Sequence, residues 1–396
     1  MRIATTVAPR AVRSIRSGHP WVYDHSIRTQ KKEPAAGDLA VVFDDSDRFL
    51  AIGLADPHSP IAIRVLHHGS PATIDAGFFA ARVDRSIDLR RSLIEDTATT
   101  GYRLVNGEND GLPGLVADRY DHVVVVKLYT AAWKPHLDVV LDQIEARCAP
   151  TAIVLRASRA VQGVWRDSFA DGQVERGSLP NPLVSFTENG LIFTANVVAG
   201  NKTGHFLDQR DNRQAVRKLS AGKSVLDVFS STGGFSVYAA AGGAISVTSV
   251  DTSAGAIAAA ITNMKANSLE PTHGHETIVG DAFSVMNTLE KHGRRFDVVV
   301  VDPPSFAPKM SDVDRARASY RRLTRAALAV LKPGGTLVQA SCSARITEAM
   351  FVDDVTQELG RAGRRPVSIS VTGHPIDHPV TFTEGRYLKA IFAPGT

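Results

Sequence analysis

The chain has 396 residues, 43% hydrophobic and 22% charged; this is a globular composition too long for one ordinary core, so two or three domains are expected. A formal charge of +4 with a pI of about 9.1 permits a nucleic-acid partner without demanding one. Two cysteines exclude a disulfide framework, and no apolar run is long enough for a membrane span or a signal peptide, so a soluble cytoplasmic protein with no membrane partner is expected.

Residues 1–32 are locally basic: Arg13, Arg16, Arg28 and four further Lys or Arg stand against Asp24 alone. The run encloses Ser17-Gly18-His19-Pro20-Trp21-Val22-Tyr23. Short apolar runs at 39–43, 49–54 and 61–66, broken by turn residues such as Asp44-Asp45-Ser46-Asp47, predict strands. Residues 1–72 therefore read as a small β-barrel-like module whose basic loops suit phosphate contact, with Trp21 packed in its core. Over 75–96, Phe78, Phe79, Val83, Ile87 and Leu93 recur near helical spacing and predict a linking helix. Beyond it, paired strands at 112–120 and 123–129, an amphipathic helix at 137–148 and a strand at 153–156 are expected. A hairpin over 184–197, turning at Glu188-Asn189-Gly190, completes a small α+β domain. Linker helix and central domain together occupy 73–199. Cys148, ending its helix, reads as a core residue.

Residues 200–213 include Lys202-Thr203-Gly204-His205-Phe206-Leu207-Asp208-Gln209-Arg210 and are too polar for a core. They suit a loop that enters a helix and folds over a ligand. From Ser224 the pattern changes. Val225 to Phe229 suits a buried parallel strand, Ser230-Ser231-Thr232-Gly233-Gly234 a turn, 235–241 a helix, and 246–250 a second strand ending on Asp251. Strand, glycine turn, helix, strand and terminal carboxylate is the start of a doubly wound α/β sheet. Glycines allow close backbone approach, and Asp251 can accept two hydrogen bonds from ribose hydroxyls. The turn is not G-x-G-x-x-G, and Asp227 at the first strand end repels phosphate but attracts a sulfonium or ammonium. That favours S-adenosylmethionine, while this stretch alone leaves another nucleotide, or none, equally open.

Strands at 276–279, 296–301 and 336–340 then alternate with helices at 254–269, 283–292, 314–331 and 347–360, the last capped by Thr347. Lys332-Pro333-Gly334-Gly335 is expected to stop the long helix, and strands at 366–371 and 387–392 end an α/β domain over 200–396. Ligands in such sheets bind outside the carboxyl ends of the strands, where Asp227, Asp251, Asp281, Asp302 and Cys342 successively fall. Asp281 suits an adenine amino group, and Asp302 is stiffened by Pro303-Pro304. Cys342, expected just before a helix N-terminus, is a candidate nucleophile. Spacing leaves it equally open as a buried strand-end thiol. No metal centre is expected, because His67-His68 and His273-x-His275 are placed in loops with no complementary cysteine cluster.

These residues together resemble the ribosomal RNA large-subunit methyltransferase I family, class I S-adenosylmethionine-dependent cytosine-C5 RNA methyltransferases. Ser17 to Tyr23 is similar to the start of the family's PUA domain, an RNA-binding β-barrel. Leu104 to Glu108 with Leu112 to Tyr120 is similar to its central domain, and Lys202 to Arg213 to its most distinctive motif. Val225 to Phe235, Asp302-Pro303-Pro304-Ser305-Phe306, Ser341-Cys342-Ser343, His378-Pro379 and Glu384-Gly385-Arg386-Tyr387-Leu388-Lys389 complete a match over nearly the whole chain. The resemblance implies S-adenosylmethionine near Asp227, Phe229, Thr232, Gly233, Asp251, Asp281 and Asp302, with Phe206, Gln209 and Arg210 as further contacts. It implies Cys342 as nucleophile beside Asp302, and 23S ribosomal RNA as partner, held by Arg13, Arg16, Arg28, Lys202 and Arg321. Many RNA cytosine-C5 enzymes carry a second cysteine where Ser305 stands, so the base that removes the C5 proton is unassigned. Rival expectations are methylation of a base nitrogen, with Cys342 incidental, and a non-catalytic RNA-binding assembly factor. Oligomeric state is open, a homodimer included.

Overall fold

A computed structural model of the protein describes residues 1–166, 169–307 and 309–396. The chain divides into two compact units. The first comprises Met1–Thr187, Ala195–Leu207 and Ile376–Gly385. It begins with β1 (Arg2–Val7), α1 (Pro9–Arg16), β2 (Trp21–Val22), β3 (Ile27–Gln30), β4 (Leu39–Phe43), β5 (Phe49–Ala55) and β6 (Ile63–His68). These strands form one six-stranded sheet in the order β2-β6-β5-β4-β1-β3, with β1 parallel to β4. Both β1 and α1 lie inside the stretch read only as a basic run. Pro9 starts the helix, and arginines at 10, 13 and 16 keep one face in water while Ala11 and Ile15 are buried on the other.

The linking helix is α2 (Ala76–Asp88), capped by Asp75, which accepts from Phe78 N at 2.9 Å; a short α3 (Arg91–Ile94) follows. Next come β7 (Gly101–Asn106), β8 (Leu115–Tyr120), β9 (Val123–Leu128), α4 (Leu137–Cys148), β10 (Ala152–Ala157), α5 (Arg159–Trp165) and β11 (Gln173–Gly177), the strands paired in the order β11-β10-β9-β8-β7. Leu54 and Leu66 of the first sheet share one core with Phe79 and Val83 of α2, Val126 of β9 and Ile144 of α4. Cys148 belongs to that core. Strands β12 (Leu183–Glu188) and β13 (Leu191–Asn196) form a hairpin whose turn residues Asn189 and Gly190 have φ of 50° and 77°. Positive φ at both positions is what a two-residue turn of this twist requires, and Asn-Gly tolerates it.

The second unit comprises Glu188–Thr194, Asp208–Pro375 and Arg386–Thr396. Its elements are α6 (Arg210–Leu219), β14 (Ser224–Val228), α7 (Gly234–Ala241), β15 (Ser246–Asp251), α8 (Ala254–Ala266), β16 (His275–Val279), α9 (Ala282–Lys291), β17 (Phe296–Val301), α10 (Val313–Ala329), β18 (Leu331–Ser341), α11 (Glu348–Arg361), β19 (Ser370–Thr372) and β20 (Lys389–Ala393). The seven-stranded sheet runs β16-β15-β14-β17-β18-β20-β19, parallel from β16 to β18 and antiparallel beyond. The core gathers Leu226, Val250, Val299, Leu323, Leu337 and Phe351. Lys332-Pro333-Gly334-Gly335 does not simply end the long helix. Helix α10 stops at Ala329 and these residues lie within β18, at a register irregularity opposite Phe296 to Val298.

One buried ion pair ties α6 to the hairpin turn. Arg213 donates from Nε and Nη2 to Glu188 at 2.8 and 2.6 Å, with both side chains at most 3% exposed. The Tyr238 hydroxyl also donates to Glu188, at 2.9 Å. Removing the cation alone leaves an uncompensated buried carboxylate. Arg213→Met should therefore lower unfolding stability by about 3–5 kcal/mol, read as a shift in the urea midpoint.

Candidate active site

The parallel register brings the strand ends β14, β15, β17 and β18 to one edge of the sheet. Val228 pairs with Val250 on one side and Val301 on the other, and Val301 with Gln339. Asp227 is completely buried there. Its Oδ2 accepts from the backbone N and Oγ of Ser236, at 3.0 and 2.6 Å, on the first turn of α7. Ser236 Oγ in turn meets Ser249 Oγ at 2.6 Å, and Ser249 meets His275 Nε2 at 2.8 Å. Oδ1 of Asp227 is buried without a hydrogen-bond partner among the described residues, as is Ser230 Oγ in the turn. Burial, opposed by the two bonds from Ser236, pushes the Asp227 carboxyl up to about 6. Buried polar atoms are rarely left orphaned, so these two fit a bound polar ligand such as the amino-acid end of S-adenosylmethionine.

The turn that follows is strained. Phe229 and Ser231 have φ of 64° and 49°, and Gly233 has φ of 77°. A left-handed conformation at a non-glycine residue costs about 1–2 kcal/mol, and such strain persists only where the surroundings enforce it. Ser231 N donates to Asp251 Oδ2 at 2.9 Å and Ser253 N to Oδ1 at 2.9 Å. Each oxygen keeps a lone pair for a ribose hydroxyl. At Gly233 a Cβ would also lie 2.7 Å from Ala260 Cβ, so the glycine serves packing as well as the turn. Thr232 O accepts from Asn263 Nδ2 at 2.9 Å, which ties the turn to α8. Asp281 caps α9 through Oδ1, accepting from Ser284 N at 3.0 Å, and is exposed.

The candidate reactive residues Asp302 and Cys342 lie just beyond the ends of β17 and β18. Asp302 N donates to Val228 O at 3.3 Å, and Cys342 Sγ lies 3.7 Å from Pro303 O. Both Asp302 and Cys342 are partly exposed. Helix α11 starts at Glu348, six positions after Cys342, so the expected placement of the thiol immediately before a helix N-terminus is corrected. Dipole effects fall off within a turn, so α11 supplies little to the thiol. Lys389 donates to the carbonyl of Ser343, the residue after Cys342, at 2.6 Å. A hydroxyl network, not readable from strand ends, joins the two loops: Ser305 Oγ meets Ser343 Oγ at 3.0 Å, Ser343 meets Tyr320 OH at 3.1 Å, and Ser341 Oγ donates to Tyr320 OH at 2.8 Å. Ser341 and Ser343 were visible only as neighbours of Cys342. Tyr320, on the buried face of α10, carried no sequence signal.

The expected RNA-contacting cations have diverse surroundings. Arg13 is exposed on α1, while Arg16 pairs with Asp44 at 3.0 Å and Arg28 with Asp45 at 2.8 Å. Lys202 Nζ sits 4.6 Å from the Phe206 ring centroid, in the first unit. Arg321 lies 3.3 Å from the buried Asp354, beside Arg317, within an ion-pair network between α10 and α11 that accounts for part of that helix's arginine content. Gln209 and Arg210 are buried at the start of α6, Gln209 accepting from Asn212 at 2.6 Å. Trp21 is half-buried, its indole donating to Glu108 at 2.8 Å and its ring edge-on to Phe382, instead of lying in the sheet core. His67 and His68 belong to β6 and His275 to β16, not to loops.

Asp227 offers a test in which stability and ligand binding move in opposite directions. Its folded-state value of about 6 lies above the unfolded value of about 3.9. The associated stability is therefore present below the unfolded value and lost as pH rises through about 6. At neutral pH, Asp227→Asn should stabilise the fold by on the order of 1–3 kcal/mol in thermal or urea denaturation. The same variant should bind S-adenosylmethionine about 10–100-fold more weakly by calorimetry, since a charge-assisted bond is lost. Unchanged affinity would contradict the assignment.

The profile of the S-adenosylmethionine-dependent methyltransferases matches residues 103–363, and that of the PUA-like domain matches residues 6–68. A ribosomal RNA large subunit methyltransferase of Deinococcus radiodurans is 46% identical over 99% of this chain and 97% of its own. A ribosomal RNA large subunit methyltransferase I of Shewanella denitrificans is 36% identical over 99% of both chains. A crystal structure of a methyltransferase complexed with SAH superposes with a TM-score of 0.84 at 23% identity, covering 100% of both chains, and shows the shared fold. Among the described residues no helix is long and apolar enough to cross a membrane. The chain thus belongs to the S-adenosylmethionine-dependent methyltransferase family, alongside the ribosomal RNA large subunit methyltransferases, with S-adenosylmethionine as its cofactor.

Proposed function

We propose that the protein methylates carbon 5 of a cytosine in 23S ribosomal RNA, through a transient bond between Cys342 Sγ and carbon 6. The observation that carries this reading is the partly exposed Cys342 at the end of β18, 3.7 Å from the Asp302 loop and on the edge that holds the cofactor carboxylates. S-adenosylmethionine supplies the methyl group when bound. Carbon 5 of cytosine is not nucleophilic on its own. Addition of the Cys342 thiolate to carbon 6 makes carbon 5 enamine-like, while Asp302, as the protonated acid, donates its proton to N3 to offset the charge on the ring and takes it back when the thiolate leaves. Carbon 5 then takes the methyl group, loses its proton to a base, and the restored double bond expels the thiolate. Cofactor contacts at Asp227, Phe229, Thr232, Gly233, Asp251 and Asp281 belong to the same reading, with Phe206, Gln209 and Arg210.

Ribosomal RNA as the substrate is supported by the full-length relatives and by the PUA-like module with its exposed cation Arg13. A ribosomal substrate also supports a cytoplasmic location. Arg16, Arg28, Lys202 and Arg321 complete the proposed RNA contacts. If they act on phosphates, log affinity should fall linearly with log salt, by about 0.7–0.9 per phosphate contacted. An RNA affinity that is flat across the salt series would count against them.

The direct test is transfer of label from S-adenosylmethionine to total ribosomal RNA, followed by nucleoside analysis, for wild type and Cys342→Ala. Label in 5-methylcytidine that disappears in the variant is the expected result. Label in a methylated purine, or undiminished transfer by Cys342→Ala, would overturn the covalent route and favour methylation of a base nitrogen.

A further inference from the structure

Lys389 opens β20 and pairs in register with Ser341, the residue before Cys342. Its side chain is only 2% exposed. The ammonium donates to three backbone carbonyls: Ser343 at 2.6 Å, Tyr387 at 3.1 Å, and Ile346. Among the described residues no carboxylate lies within ion-pair distance of it. An ammonium removed from water without a counter-ion is costly, and carbonyl dipoles offset only part of the loss. Two of the three carbonyls belong to the loop that carries Cys342. The burial is therefore spent mainly on the backbone of the loop that carries the thiol.

We propose that Lys389 is a positioning residue for Cys342: its ammonium clamps the 342–346 loop by the carbonyls and is the fixed positive charge that favours thiolate over thiol. This rests on the reading of Cys342 as nucleophile. The titratable groups facing the site come from several elements. Asp302 follows β17, Tyr320 is on α10 and Glu348 begins α11, all acids; Arg345, in the same loop, is exposed to solvent. Whenever Asp302 is ionised it opposes a second negative charge beside it, and a buried cation offsets that opposition. Burial draws the Lys389 ammonium down to about 8, while charge on Cys342 and Glu348 acts to hold the proton on. Tyr320 is pushed up by its burial to about 12 and stays neutral in the working range. The three donors of an ammonium match the three carbonyls in number.

The test is the pH dependence of alkylation of Cys342 by iodoacetamide, in the full chain carrying Cys148→Ser so that one thiol is read. The pH midpoint in Lys389→Met should rise by about 1–2 units, with alkylation at neutral pH slowed about tenfold or more, because an opposite charge has been removed. Lys389→Arg should keep most of the original midpoint. Binding of S-adenosylhomocysteine, retained in both, shows that the fold is intact. An unshifted midpoint in a Lys389→Met protein that binds S-adenosylhomocysteine overturns the proposal. If Lys389→Met fails to fold, the wild-type profile decides: a midpoint below the ordinary thiol value of about 8.5 supports a fixed cation, and one at or above it overturns the role. Alkylation reads the thiol and not methyl transfer. A shifted midpoint in a protein whose Cys342→Ala variant still forms product would therefore defeat the nucleophile reading alone.

Discussion

The site depends on strand register. Four parallel strands, β15, β14, β17 and β18, are hydrogen-bonded so that Val250, Val228, Val301 and Gln339 lie side by side. Everything with chemistry follows within a few residues of that line. A shift of one residue in any of these strands would turn its side chains to the opposite face. The Val run of β17 and the apolar Val225, Leu226 and Val228 of β14 are buried and add packing to that register.

Along this edge the structure concentrates groups that cost folding energy. Asp227 is a buried carboxyl with one orphan oxygen, Phe229 and Ser231 sit at positive φ, and Lys389 is a buried ammonium. None of the three improves the core. Each is held by something rigid: Ser236 on α7, the bonds from Ser231 and Ser253 to Asp251, and the carbonyls of the Cys342 loop. Such costs are tolerated where a ligand or a reacting base recovers them, and they mark the site more sharply than any cavity.

The hydroxyl network of Ser305, Ser343, Tyr320 and Ser341 has a different role. It fixes the Asp302 loop against the Cys342 loop through a tyrosine planted in the core of α10. Two loops from adjacent strands, one stiffened by Pro303-Pro304, are thus kept at constant separation. That is what the proposed roles of Cys342 and Asp302 require.

Much of this was legible from residue order. Alternation of apolar runs with amphipathic stretches gave the α/β unit, because parallel strands buried on both faces must read as short Val-rich runs. Strand ends pointed to Asp227, Asp251, Asp302 and Cys342 as candidates, and the structure places them along one edge of the sheet. Asn189-Gly190 announced its hairpin because few other pairs adopt two positive φ values. The order of residues was silent where the partner lies far along the chain. Nothing local in Arg213 pointed to Glu188, or in Tyr320 to Ser343, or in Lys389 to the carbonyls around Cys342. Nothing local in the arginines of α10 pointed to Asp354 and Glu358 of α11 opposite them. The first helix hid in a basic run, since eight residues with two buried side chains carry too little periodicity to stand out. Local propensity is written in neighbours, whereas the pairing of buried charges is written in distance across the fold, and only folding brings those groups together.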